Sequence, residues 1–356
     1  LKNSYRMMRI EASRKELLEQ PIALKRTLNH IEKELENEKL EKMEEGLKCI
    51  KRIVLFGCGD SYYASLAMAP AVYKITNLST YVFQAYELNK YPTISIDKET
   101  LLIGFSSSGE TEAVLDAIRG GQAKEALTIA FTNSPGSSIE KFADYTFHIQ
   151  ATRIGWPTQA STSAMAGLLL FVGACLSKNY ENLKEKLLYT ADLMDRTIKM
   201  LDIPMKKLAE SLVNKNIYFF SGAGPNWGVA NFGAAKIKEW SQDYAVPIHL
   251  EEFHHFMTLH QGDPLFLILT GEEDFCRGKD TLEESLNWGG ETILITCQTS
   301  ELDEIASSVI YVPKTLSELS PFVTVLPLHL FGLHLVYAKL KANWERPLEG
   351  DKKIEQ

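Results

Sequence analysis

The chain repeats itself. RIVLFGCGDSYYA (52–64) and NIYFFSGAGPNWGVA (216–230) each contain an apolar run, a glycine-rich turn and the start of a helical pattern. Further landmarks recur at a similar distance. ETLLIGFSSSGE (99–110) is followed by DPLFLILTGEED (263–274), and FADYTFHI (142–149) by IASSVIYV (305–312). Each half closes on a long apolar helix, near 161–177 and 322–342. Two copies of one unit, offset by about 163 residues, account for most of the 356 residues. Such a period constrains the fold before any single motif does.

Within each copy, short apolar runs alternate with helical patterns. Parallel strands covered on both faces read as apolar runs, and helices make their crossovers. The pattern predicts an α/β fold of two tandem domains, each a five-stranded parallel sheet flanked by helices in a flavodoxin-like three-layer sandwich. Strands are expected near 53–57, 79–83, 101–106, 126–131 and 144–149, then near 217–221, 246–250, 264–269, 291–296 and 308–312. The domains read as N-terminal helices over 1–50, a first domain over 51–195, a second over 196–344 and a tail over 345–356 that covers the site. Connecting helices occupy 178–213, with a break at Pro204.

Charge and cysteine usage narrow the class. The net charge is −8 and no basic stripe stands out, so no nucleic-acid partner is expected. The charged stretch 31–52 mixes both signs and reads as a solvated helix with i,i+4 pairs. Five scattered cysteines without a CxxC pair suit reduced thiols in the cytoplasm. No signal peptide opens the sequence, and the apolar stretch 164–176 is too short to span a bilayer, so no membrane partner is expected.

GFSSSGET (104–111) falls on a strand-to-helix turn. Open α/β sheets bind ligands beyond the carboxyl ends of their strands, where helix N-termini offer unpaired N–H groups. Ser106, Ser107, Ser108 and Thr111 sit there, with Gly109 letting the backbone come close. The turn reads as an anion cradle without a Walker lysine, against the alternative of an ordinary helix cap. Its counterpart LILTGEED loses the serines and gains Asp274, so one anion site per chain is expected, in the first copy.

CGDS (58–61), SSSGET (106–111) and NSPGSS (133–138) resemble the sugar isomerase (SIS) family, giving two tandem SIS domains. More narrowly, the sequence is similar to the isomerase half of the glutamine–fructose-6-phosphate aminotransferases. The resemblance begins at MRIEASRKELLEQPIAL (8–24) and runs to PLHLFGLHLVYAKLKAN (327–343). It implies that Ser61, Ser106, Ser107, Ser108 and Thr111 hold the 6-phosphate of a sugar, with Gly59 beside them. It also implies that the segment 154–163, containing Ser161, lines the sugar. That segment is longer than the family's and has Ser163 in place of a lysine.

AAKIKEWSQDYAVPIHLEEFHH (234–255) carries the candidate acid–base groups. Lys236 and Glu239 are three apart on a helical pattern and share a face. Glu252 and His255 are also three apart, on the turn after an apolar strand. Moving a proton between adjacent sugar carbons needs a carboxylate, and ring opening suits a histidine. By resemblance, Glu239 is the isomerising base and Lys236 lies near the sugar oxygens. His255 opens the ring, entering from a neighbouring subunit of a homodimer or higher oligomer, and Glu252 orients its loop. Lys236, Lys238 and Glu239 read without the family as a solvated helix face. Phe256 replaces the family's glycine after the histidine.

His249, His254, His255 and His260 fit no standard zinc spacing, so no metal is expected, and no organic cofactor. His329 and His334 read as hydrogen-bonded core histidines. No glutaminase domain precedes residue 1, so ammonia release from glutamine is not expected. Lys352 aligns with a sugar-binding lysine of the family and is a candidate catalytic group; a frayed charged tail is the alternative. The resemblance implies a phosphosugar isomerase of deaminase, deglycase or plain aldose–ketose type. A phosphosugar-binding sensor without catalysis is the competing class.

Overall fold

The computed structural model describes residues 2–36, 43, 45–156, 158–177, 180–255 and 259–342. Among them, ten strands form two parallel sheets. The first contains β1 (Arg52–Gly57), β2 (Ser79–Gln84), β3 (Thr100–Phe105), β4 (Leu127–Thr132) and β5 (Tyr145–His148), in the order β2-β1-β3-β4-β5. The second contains β6 (Ile217–Gly222), β7 (Tyr244–His249), β8 (Pro264–Leu269), β9 (Glu291–Thr296) and β10 (Ser308–Tyr311), in the order β10-β9-β8-β6-β7. Read from the other edge, the second order is the first repeated. Two tandem parallel-sheet sandwiches are thus the fold, as the repeat predicts.

Sequence chemistry explains the layers. All six residues of β3 and all six of β8 are buried, which is why both read as unbroken apolar runs. The helix α1 is Lys2–Leu35, α2 is Asp60–Thr76 and α3 is Ala85–Lys90. Next come α4 (Glu112–Gln122), α5 (Ile139–Phe142) and α6 (Gln159–Cys175). Helix α4 buries Val114, Leu115, Ala117 and Ile118 and leaves Glu112 to water. In the first core Phe131 stacks between Phe105 and Phe147, at 5.4 and 5.5 Å. Burying one such ring is worth roughly 1.5–3 kcal/mol.

The remaining helices are α7 (Tyr180–Ser211), α8 (Pro225–Lys236), α9 (Phe275–Asn287) and α10 (Pro321–Lys341). In the second core Phe266 packs on Phe220 and Phe331, at 5.0 and 4.6 Å.

The copies agree down to single dihedral angles. Gly59, before α2, has φ 54° and ψ −129°; Gly224, before α8, has φ 52° and ψ −129°. Only glycine holds that backbone without strain. Two residues earlier, a Cβ on Gly57 would lie 2.6 Å from Ser61 Cβ, and one on Gly222 would lie 2.8 Å from the Asn226 carbonyl oxygen.

By packing, the chain forms two compact units. One draws on Glu19–Thr152 and Gln159–Ala191 and contains the first sheet. The other draws on Leu1–Leu18, Arg153–Thr158 and Asp192–Gln356 and contains the second.

Three expectations change. Pro204 does not break a helix, because α7 runs through it. Its neighbours Met200 and Ile203 are exposed, so water can take the carbonyl that proline leaves without a donor. The charged stretch after residue 31 is not wholly solvated, since Ile31, Leu35, Met43, Leu47 and Ile50 are buried. Finally, 164–176 is not the apolar segment closest to a span. Ser317–Lys341 is long and apolar enough to cross a bilayer, and its apolar window is buried inside the fold.

Candidate active site

The hydroxyl-rich turn closes β3 at the point where the strand order reverses. Ser106 is 2% exposed and its N–H donates to the Phe131 carbonyl at 3.1 Å. Its Oγ accepts from the Gly109 N–H at 3.1 Å and lies 3.1 Å from Thr111 Oγ1. Ser108 Oγ accepts from the Glu110 N–H at 3.2 Å. Thr111 stands at the N-cap of α4 but its side chain makes no capping bond. An ordinary cap therefore does not account for the turn. Ser107 Oγ is buried and has no hydrogen-bond partner among the described residues, a cost of about 1–3 kcal/mol unless a ligand or water meets it.

The segment 133–138 buttresses this turn. Asn133 N–H and Ser134 Oγ both donate to the Ser107 carbonyl, at 3.1 and 3.0 Å. Gly109 has φ 67°, and a Cβ there would lie 2.0 Å from Ser137 Oγ. The close approach that demands glycine is thus to the protein's own loop. Ser61, in the first turn of α2 after β1, is partly exposed. Strands β1 and β3 are hydrogen-bonded neighbours, so their two turns flank one switch point.

The matching place in the second unit is filled from within. Asn226 is 2% exposed, and its Nδ2 donates to Thr270 Oγ1 at 2.9 Å. Burial, then Glu273, holds the Asp274 carboxyl above its ordinary range.

Helix α8 passes straight into a π-helical turn, Ile237–Ser241, that ends on left-handed Gln242. Such turns are frequent at functional sites. Lys236 Nζ donates to Glu239 Oε2 at 2.7 Å, with the two side chains 0% and 27% exposed. The solvated-face reading of Lys236 is therefore wrong. The ammonium also lies 5.8 Å from the Trp240 ring, within cation–π range. A buried ammonium needs such partners.

The segment EEFHH forms a 3₁₀ turn, Glu252–His254, after β7. Phe253 is buried in the second core. His254 Nε2 lies 3.0 Å from Thr281 Oγ1 and its Nδ1 2.9 Å from Glu284 Oε2, which pins the turn to α9. His255 is left outward, its side chain 61% exposed. Its N–H donates to the Glu252 carbonyl at 3.1 Å. The carboxylate facing its ring is Glu251, at 3.8 Å, held by Arg277 Nε at 2.8 Å. Glu252 itself is exposed.

The loop after β5 is held by α1. Gly155 N–H donates to Glu16 Oε1 at 2.8 Å, as does Ile154 N–H, and Trp156 N–H donates to Ser13 Oγ at 2.7 Å. Trp156 packs on Trp240 with centroids 6.2 Å apart, beneath the Arg9 guanidinium at 4.9 Å. Ser161, 8% exposed, lies in the first turn of α6.

Comparison with known proteins agrees with this architecture. Residues 46–178 match the SIS domain model. That span of the chain is thus similar to an SIS domain. The chain is 30% identical over 340 residues to a glutamine–fructose-6-phosphate aminotransferase (isomerizing) of Clostridium tetani, covering 91% of this chain and 56% of that protein. The chain thus spans a little over half the length of that relative. Among solved structures, the C-terminal domain of glucosamine-fructose-6-phosphate aminotransferase from Francisella tularensis superposes with a TM-score of 0.82 at 23% identity, over 92% of this chain and 96% of that one. A glucosamine-6-phosphate deaminase from Thermotoga maritima superposes at 0.66 and 18% identity, over 92% and 95%. These structural likenesses speak to the SIS fold.

Against that fold, the sequence-selected residues fall into separate groups. The first unit brings Ser61, Ser106, Ser107, Ser108 and Thr111 to one end of its sheet, with Gly59 shaping the adjoining turn. The second pairs Lys236 with Glu239 and presents His255. Lys352, Phe256 and the tail 345–356 lie outside the described residues. Sequence reasoning also misjudged one core histidine. His334 Nε2 meets Asp202 Oδ1 at 2.8 Å, but both ring nitrogens of His329 are buried without a partner among the described residues. Burial, then the Lys236 charge, pushes His329 well below its usual range, so the ring is neutral.

Proposed function

We propose that the chain isomerises a 6-phosphorylated amino sugar or fructosamine, as a glucosamine-6-phosphate deaminase or fructosamine-6-phosphate deglycase does. The observation that supports this most is the Lys236–Glu239 pair, a fully buried ammonium holding a partly exposed carboxylate at 2.7 Å on a π-helical turn. Holding a ligand needs no such arrangement. Transferring a proton between adjacent carbons needs a carboxylate fixed in place and reachable from solvent.

In this reading Ser61, Ser106, Ser107, Ser108 and Thr111 take the phosphate and Ser161 faces the sugar. His255, supplied by the second subunit of a homodimer, moves a proton between the anomeric hydroxyl and the ring oxygen and opens the ring. Glu252 sets the backbone on which His255 turns. Glu239 then removes a proton from one carbon and returns it to the next, through an ene-diol or enolamine. Lys236 holds Glu239 through its hydrogen bond and lies near the sugar oxygens. For an amino sugar, the resulting imine takes up water and releases ammonia. A fructosamine is split the same way into an aldose phosphate and an amine. The chemistry calls for no metal or organic cofactor. Lys352 is assigned to the sugar end of the reaction.

Product detection on a small panel tests the reading: glucosamine 6-phosphate, fructose 6-phosphate with and without ammonia, glucose 6-phosphate and 6-phosphofructosyl amino acids. Fructose 6-phosphate plus ammonia from glucosamine 6-phosphate identifies a deaminase. A released amino acid identifies a deglycase. Thermal stabilisation by these sugars without turnover overturns the catalytic reading in favour of a sensor. The shared site has its own test. Mixing Glu239→Gln with His255→Gln protein should restore activity, and no recovery after subunit exchange removes the shared histidine.

A further inference from the structure

Away from the hydroxyl turn, the first unit gathers a second set of chemically able side chains. His30 and Glu34 are four apart on α1 and share a face. Strand β5 ends at His148 beside them. One donor atom from each of the three lies within 4.8 Å of the other two. His30 Nε2 is 3.7 Å and His148 Nδ1 3.0 Å from Glu34 Oε1. In a tetrahedral zinc site with bonds near 2 Å, neighbouring donors stand roughly 3.3 Å apart. The two observed spacings bracket that value.

The other face of His148 is equally informative. Its Nε2 lies 2.8 Å from Glu140 Oε1. Such a carboxylate, accepting one imidazole N–H, is the usual support of a metal-bound histidine; the opposite nitrogen, Nδ1, hydrogen-bonded to Glu34 Oε1, would exchange a proton for the cation. Glu140 is held in turn by the Gly136 N–H at 2.7 Å, and the His148 N–H donates to Glu34 Oε2 at 3.1 Å. The three side chains are 40%, 13% and 17% exposed for His30, Glu34 and His148. An ion can enter on the His30 side, and a water can complete four-coordination.

We propose that His30, Glu34 and His148 bind one divalent transition-metal ion, with Glu140 orienting His148. Two imidazoles and one carboxylate suit zinc and disfavour magnesium and calcium, which take oxygen donors. The sequence reading weighed only the histidines of 249–260 and missed this set, because its members meet only in the folded chain. The site is not assigned to the reaction. It lies on the elements that carry the 133–138 buttress, through Glu140 and Gly136, so its role is to fix that segment.

The test is zinc binding by the full chain after chelator treatment, read by competition with a chromophoric chelator and by metal analysis after dialysis. One zinc per chain is expected in the wild type. His30→Gln and Glu34→Gln should lose it, and Glu140→Gln should bind about 10- to 100-fold more weakly. His260→Gln, altering a histidine whose side chain is 89% exposed, should retain it. Cobalt in place of zinc should give the intense visible bands of a four-coordinate ion. Retention of the bound equivalent in both His30→Gln and Glu34→Gln overturns the site, as does a wild type that holds zinc no more tightly than His30→Gln. Far-ultraviolet circular dichroism of each variant separates loss of the ligand from loss of the fold.

Discussion

At the ends of β1 and β6 the backbone is the same to within a few degrees, at Gly59 and at Gly224. At the ends of β3 and β8 the side chains part company. In the first unit Ser107 Oγ is buried without a partner among the described residues, and Ser106, Ser108 and Thr111 stand on the same turn. In the second, Asn226 reaches Thr270 and closes the place, with Asp274 nearby. The comparison teaches that strand order and glycine positions build the turn, and that two or three side chains make the two turns chemically different. The second unit spends its special chemistry elsewhere, on the π turn after α8.

The largest expected effect tests that division of labour. Glu239→Gln should lower turnover by about 10²-fold or more and leave stabilisation by phosphosugar intact. Glutamine is the right replacement because its carbonyl still accepts from Lys236. Removing the acceptor would instead take a hydrogen-bond partner from a buried ammonium. Near-normal turnover in Glu239→Gln would take the chemistry away from the second unit.

A paired substitution comes next. Ser107→Ala should weaken phosphosugar binding about tenfold or more, the worth of one hydrogen bond to a charged group, and barely change the melting temperature. Thr270→Ala should do the opposite, leaving affinity alone and lowering stability by about 1–3 kcal/mol as the Asn226 amide loses its partner. Equal loss of affinity in both would break the comparison.

Acid sharpens it further. His329 is neutral and buried in the second unit, its folded pKa below the unfolded value. Below pH about 6.5 the unfolded chain takes up a proton that the fold refuses, so stability falls as pH falls. One such proton is worth about 1.4 kcal/mol per pH unit. Denaturation between pH 7 and 5 should therefore be less steep in His329→Leu than in the wild type; an identical slope would show that the ring titrates freely. The smallest effect concerns the shared backbone. Gly59→Ala and Gly224→Ala should each cost about 1–3 kcal/mol, the strain of an alanine held at positive φ in a sparsely populated region. Chemical denaturation would show whether the two costs match.

Much of this was legible. Ten expected strands occur within a few residues of the observed ones, because buried parallel strands must be apolar and must end in turns. GFSSSGET and the i,i+3 spacing of Lys236 and Glu239 also marked their places. What escaped depends on packing. Nothing in IKEWS announces a π turn, which forms where Trp240 lodges against Trp156 and Gly332. Phe253 and His254 point inward and His255 outward because Thr281 and Glu284 on a distant helix capture His254. Ser13 and Glu16 looked like part of an opening motif, and their hold on the loop at 154–156 required the fold to see.

Gly57 and Gly222 lead to a last consequence. Each is glycine because the next helix passes too close for a Cβ, with Ser61 Cβ at 2.6 Å in one case and the Asn226 carbonyl oxygen at 2.8 Å in the other. Neither contact involves a ligand. A repeated unit can therefore change the side chains of its turns and keep its architecture, since different residues encode the two. Divergence after duplication then becomes a matter of a few side chains on an unchanged frame, and the second copy is free to acquire work of another kind.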